Sequence, residues 1–156
     1  MLRISKLTDY AVVLTTHLVT CDEPHSVRGL AAESGLPEAT VSKVLKILAK
    51  AGIVRSQRGP GGGYQLAKEA SAIPVVDVIT AIEGPISVTE CSVEATEGGC
   101  DYEVGCGTRA NWQRINQTVH EALSSISLLE MARSAAPLIQ LQPSRGAAAA
   151  SIGETR

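Results

Sequence analysis

The sequence predicts a mainly α-helical fold: a winged helix-turn-helix with a two-stranded wing, followed by a long C-terminal dimerisation helix. Three observations carry this expectation. A short helical segment, a glycine turn and a longer amphipathic helix follow one another over residues 27–50. A hairpin built around "RGPGGGYQL" comes directly after them. Farther on, apolar residues recur at steps of three and four, the spacing of a helix that meets another along a seam. The chain then divides into a DNA-binding winged helix-turn-helix over 1–84, a cysteine loop over 85–107, a dimerisation helix over 108–133 and a disordered tail over 134–156.

The first helix is expected to open at Thr8 as N-cap and to run through "DYAVVLTTHLVT", with Asp9 in its first turn. "CDEPHS" is a loop, because Pro24 and its polar neighbours do not continue a helix. Ser26 caps "VRGLAAES", which stops at Gly35. In "LPEATVSKVLKILAKAG", Pro37 marks a helix start and Gly52 a stop. Val41, Val44, Leu45 and Leu48 form its apolar stripe, and Ala39, Ser42, Lys43, Lys46 and Lys50 form a small, polar and basic opposite face. "IVRSQ" supplies one short strand, and the segment after the glycines supplies the other. A short helix lies between Pro74 and Gly84. The long helix starts near Thr108, with Trp112, Ile115, Val119, Ala122, Ile126 and Leu129 on its seam. Such a seam needs a partner: a second copy of the chain, or the rest of its own domain. Ser127 and Glu130 form a capping box for a last short turn, "LLEMA". With no Phe and a single Trp, the core must be built from Leu, Ile, Val and Ala.

The net charge of −2 hides an asymmetry. Residues 1–68 hold nine Lys/Arg against five Asp/Glu, and residues 69–156 hold five against eleven. A basic half facing a polyanion is the reading this split suggests. A helix entering the major groove needs small or polar outward residues, and cations for phosphates. Thr40, Ser42, Lys43 and Lys46 meet that need. Arg58 stands before the wing tip, with Gly61 and Gly62 in it, where a guanidinium can enter a narrow minor groove. Arg3, Ser5 and Lys6, ahead of the first helix, are placed to clamp phosphate, and Tyr64 to prop the wing. No apolar run of membrane length and no signal-peptide pattern is present, so a cytoplasmic protein is expected. Phosphate loops, paired catalytic acids and nucleophile elbows are missing too, and no histidine stands in a motif around a cysteine, which argues against an enzyme.

"CSVEATEGGCDYEVGC" places Cys91, Cys100 and Cys106 in one loop. In a reducing compartment such a cluster points to metal or redox chemistry before a disulfide. Thiolates suit zinc or an iron–sulfur cluster. Structural zinc favours tight C-x₂₋₄-C pairs, whereas the gaps here are eight and five residues. The loop carries Glu90, Glu94, Glu97, Asp101 and Glu103 and no base, so bare thiols in it should be hard to ionise. The fourth cysteine, Cys21, ends an apolar helix and reads as core filler.

"SKLTDYAVV", "GLPEATVSKVLKILAKAGIV", "RGPGGGYQLA" and the three-cysteine loop before a Trp-containing helix resemble the IscR/NsrR-type winged-helix transcription regulators, most of all regulators of the SUF iron–sulfur assembly system. The resemblance covers roughly residues 1–132. It implies a homodimer with crossed long helices, palindromic double-stranded DNA operators and an iron–sulfur cluster, 2Fe–2S or 4Fe–4S, on Cys91, Cys100 and Cys106. Some members of that family add a histidine three residues after the third cysteine, where this chain has Arg109. Others add a carboxylate from the partner's first helix, a position matched by Asp9; Cys21, His17, His25 and His120 are the other candidates. The resemblance also implies a repressor of iron–sulfur assembly or of iron and redox-stress genes. Sensing by zinc, by direct thiol chemistry or by nitric oxide stands as the alternative.

Overall fold

The computed structural model describes residues 3–89 and 106–134. Six helices and one hairpin follow in the order α1 (Lys6–Val19), α2 (Val27–Ser34), α3 (Glu38–Lys50), β1 (Val54–Gln57), β2 (Gly63–Leu66), α4 (Val75–Glu83), α5 (Arg109–Ser124) and α6 (Leu128–Ser134). A single 3-10 turn at Ala70–Ala72 leads into α4. The strands pair antiparallel, Val54 opposite Leu66 and Gln57 opposite Gly63. This is a winged helix-turn-helix, as the sequence predicts.

Its core is aliphatic. Leu14 of α1, Leu30 of α2, Val41, Val44, Leu45 and Leu48 of α3, and Val78 of α4 are all fully buried. The whole apolar stripe of α3 is therefore spent on the core, which fixes the opposite face outward. Ser26 caps α2 by accepting from the Gly29 N–H at 3.0 Å. Gly35 ends that helix in the left-handed region, φ 70°, where a side chain would be strained.

Two boundaries differ from expectation. Helix α1 is capped by Ser5, not Thr8: the Ser5 hydroxyl accepts from the Thr8 N–H at 3.3 Å, and Thr8 is fully buried inside the first turn. The Thr8 hydroxyl donates instead to the Glu83 carboxylate, which also accepts the Ser5 N–H at 3.0 Å. The far end of α4 thus decides where α1 begins. The expected helix over 108–133 is also broken. After Ser124 the chain turns to bridge the segment before α4: the Val75 N–H donates to the Ile126 carbonyl at 2.8 Å and the Leu128 N–H to that of Ile73 at 2.9 Å. Ile126 accordingly sits in a turn, off the helical seam. The Ser127–Glu130 capping box then opens α6: the Ser127 N–H and hydroxyl each donate to Glu130 at 2.8 Å, and the Glu130 N–H donates back at 3.2 Å. Leu128 is fully buried in the core, so α6 latches the chain onto the winged helix-turn-helix.

Candidate nucleic-acid interface and thiol sites

The α2–Gly35–α3 unit presents one exposed basic face. Lys43, Lys46 and Lys50 are exposed, Thr40 and Ser42 half-buried beside them. Among the described residues no carboxylate pairs with these lysines. Unneutralised cations beside small polar groups on a rigid helix are what phosphate contact and base-edge approach require.

The wing follows α3 in the chain, and its first strand packs against that helix. Arg58 is exposed at the entry to the tip. Gly61 adopts φ 80°, and a Cβ on Gly62 would lie 2.4 Å from the Gln57 carbonyl oxygen, so the tip closes only with glycine at these two positions. Tyr64 is half-buried against the core, and its backbone exchanges hydrogen bonds with His25 at 2.9 and 2.8 Å. The wing is therefore stitched to the α1–α2 loop.

Arg3 of the N-terminal arm is exposed, and so is Lys6, which is the first residue of α1 and not a residue ahead of it. Ser5 lies between them, its hydroxyl engaged by the helix cap and its N–H by Glu83. The Ser5 and Thr8 hydroxyls and the Ser5 N–H hold the Glu83 carboxyl below its ordinary range. Asp9 is exposed on the first turn of α1.

Cys91 and Cys100 lie outside the described residues. Cys106 stands just ahead of α5, half-buried, with its Sγ 3.3 Å from the Thr108 hydroxyl. That hydroxyl first, then the Thr108 backbone, holds the thiol below its ordinary range; the Arg109 N–H and charge add to the effect. The expectation that the acidic loop makes its thiols hard to ionise is reversed at Cys106. Donors at the start of α5 hold its thiol there.

One further expectation fails at Cys21: it is half-buried, not core filler, and two histidines lie beside it. The ligand atoms of His17, Cys21 and His25 lie within 4.8 Å of one another. Their i, i+4 spacing is visible in the sequence; the turn at Pro24 that returns His25 toward the helix end is not. The last candidate, His120, is exposed on α5, with its Nδ1 3.3 Å from the Ser124 hydroxyl.

Helix α5 buries none of its residues, and Trp112 and Ile115 are 38% and 44% exposed. Beside it an apolar groove of about 520 Å³ runs between Ile4, Ile79, Ile86, Val119, Ala122 and Leu123. Among the described residues no helix is long and apolar enough to cross a membrane.

The family model "Rrf2: Iron-dependent Transcriptional regulator" matches residues 4–134. The HTH-type transcriptional regulator IscR of Yersinia enterocolitica is 33% identical over 132 residues, 83% of this chain and 79% of that protein. CymR, the global cysteine regulator of B. subtilis, superposes with a TM-score of 0.67 at 33% identity, over 87% of this chain and 100% of CymR. IscR of T. potens does so with a TM-score of 0.64 at 30% identity, over 91% and 94% of the two chains.

Proposed function

The chain belongs to the Rrf2 family of transcriptional regulators, and from that premise we propose that it is a cytoplasmic homodimer that binds palindromic double-stranded DNA under the control of an iron–sulfur cluster. It is a regulator and not an enzyme, as its relatives and fold neighbours are. The observation that carries the proposal is the unpaired basic face of α3 beside a glycine-closed wing. Thr40, Ser42, Lys43 and Lys46 approach the major groove, Arg58 the minor groove, and Arg3 and Lys6 the flanking phosphates. The exposed Trp112–Ile115 face of α5 and the adjoining groove supply the dimer contact, with Val119 and Ala122 lining it.

The described donors fit a cluster. Cys106 is biased toward the thiolate that iron requires, and the Asp9 carboxylate is exposed for a fourth, cross-subunit ligand. Cys91 and Cys100 complete the set. When bound, the cluster supplies iron that responds to oxidants, nitric oxide or iron supply. The chain's part is to couple that loop to α5. Cys106 is three residues from the start of the helix that sets the spacing of the two heads, so a change at its sulfur reaches the dimer interface directly. Repression of iron–sulfur assembly or of iron and redox-stress genes follows from this reading.

Anaerobic purification, an absorption spectrum and matched iron and sulfide counts test it. Visible bands that vanish in Cys91→Ala, Cys100→Ala and Cys106→Ala, together with the cluster-dependent operator response, are expected. A protein that stays colourless after reconstitution overturns the cluster. The depressed Cys106 thiol, and the likeness to a cysteine regulator, favour direct thiol sensing or zinc as the second reading.

A further inference from the structure

We propose that His17, Cys21, His25 and Glu33 form a second metal site, a closed four-coordinate centre for a zinc-type divalent cation, built into the reading head and separate in sequence from the cysteine loop. His17 lies in the last turn of α1, Cys21 just past its end, His25 in the loop to α2, and Glu33 in the last turn of α2. The Cys21 Sγ is 3.6 Å from the His25 Nε2. Tetrahedral zinc, with Zn–S of about 2.3 Å and Zn–N of about 2.0 Å, separates sulfur and nitrogen ligands by about 3.5 Å. Glu33 reaches both rings, Oε2 to the His17 Nε2 at 2.5 Å and Oε1 to the His25 Nε2 at 3.9 Å. The imidazoles meet edge to face, centroids 5.9 Å apart, so both present ring nitrogens to one region without stacking.

Three features fit a metal better than a surface ion pair. First, His25 is oriented from behind: its Nδ1 is 3.0 Å from the Glu23 carbonyl oxygen. An Nδ1–H donated there leaves the Nε2 lone pair facing Cys21 and Glu33, which is how metal-bound histidines are held. Second, the charges close. Thiolate and carboxylate together balance a divalent cation, so a half-buried site acquires no net charge, and two imidazoles with one thiolate suit zinc-type softness. Third, the thiol adds nothing to the Glu33 ion pairs. It donates to the His17 carbonyl at 3.3 Å, a bond that metal binding exchanges for a metal–sulfur bond with release of one proton to water.

The position gives the site a purpose. His25 is joined through its backbone to Tyr64 of the wing, and a Cβ on Gly63 would lie 2.4 Å from the His25 backbone. An ion held by His17, Cys21, His25 and Glu33 therefore fastens the end of α1, the loop, α2 and the wing strand at one point.

The test uses the full-length chain, chelator-treated and reduced, carrying Cys91→Ser, Cys100→Ser and Cys106→Ser so that Cys21 is the only thiol. Titration with Co(II) is expected to give one ion per chain, tetrahedral visible bands and a thiolate charge-transfer band, all displaced by one equivalent of Zn(II). Adding Cys21→Ser should remove the charge-transfer band. Adding Glu33→Gln, on an exposed side chain, should weaken Co(II) by about ten-fold while the fold is kept. Zn(II) should also raise the thermal midpoint of the Cys21-only chain, and do so less in Glu33→Gln. An octahedral, water-like cobalt spectrum overturns the proposal, as do tetrahedral bands indifferent to Glu33→Gln. If Cys21→Ser does not fold, Glu33→Gln and the zinc-dependent midpoint decide.

Discussion

The Thr108 hydroxyl, 3.3 Å from the Cys106 sulfur, is the main influence that holds this thiol below its ordinary range. Thr108→Val removes the donor and keeps the shape. Alkylation of Cys106 near neutral pH should slow by roughly three-fold, and its pH–rate midpoint should move up, because the thiolate is the nucleophile. An unmoved midpoint would show that the backbone alone holds the thiol. Glu83 makes a comparable argument for acid stability. Its folded carboxyl is held below the ordinary range by Ser5 and Thr8. The stability it contributes is thus present above the unfolded carboxyl's titration and is lost as pH falls through the lower folded value. Glu83→Gln should be less stable at neutral pH, and its urea midpoint should converge with that of the parent on acidification. Parallel midpoints at every pH would mean the carboxylate charge is not what ties the arm down. Arg58 makes no contact that constrains it to a structural role among the described residues. As the proposed minor-groove reader, Arg58→Ala should cost about ten-fold on operator DNA and far less on random DNA in salt-matched binding assays. Equal losses would make it a phosphate contact.

Helices α2 and α3 and the hairpin were legible because their signals are local: the Ser26 cap, the left-handed Gly35, a stripe at helical period and a glycine tip. Where prediction failed, a distant partner decided. In "SKLTD" both Ser5 and Thr8 are able to cap, and Glu83, at the end of α4, selects Ser5 by taking the Thr8 hydroxyl. The seam of apolar residues runs on through Ile126 and Leu129, yet backbone bonds to Ile73 and Val75 end α5 at Ser124. The capping box at Ser127 was readable, but not its consequence, that Leu128 returns to the core. Because that side chain is fully buried, Leu128→Ala should destabilise the chain by about 2–5 kcal/mol in equilibrium denaturation. A loss within about 0.5 kcal/mol, as for an ordinary surface change, would mean α6 does not brace the head. The grouping of His17, Cys21 and His25 belongs with these cases: spacing hinted at it, and the loop's return path created it.

On the proposed reading, a single winged helix covers one half-site of the operator, with an affinity that rests on a few phosphate contacts that salt readily screens. Two heads held at fixed spacing convert the second docking into an intramolecular event, worth roughly 10²–10⁴ in affinity when the geometry matches. The proposed means is α5, which leaves Trp112 and Ile115 exposed and opens beside an apolar groove, at no cost to the core beneath. Ile115→Glu should therefore separate assembly from folding. A carboxylate on the proposed interface desolvates poorly against a second apolar face and repels its own symmetry mate, so sedimentation should shift from dimer to monomer. The denaturation midpoint extrapolated to low protein concentration should stay near that of the parent, because the side chain is 44% exposed and outside the core. Binding to a palindromic site should fall by about 10²-fold or more, while binding to an isolated half-site barely changes. A variant that sediments as a dimer would move the interface off α5. A monomer that still binds the palindrome tightly would mean the two heads are joined on DNA by something other than this helix.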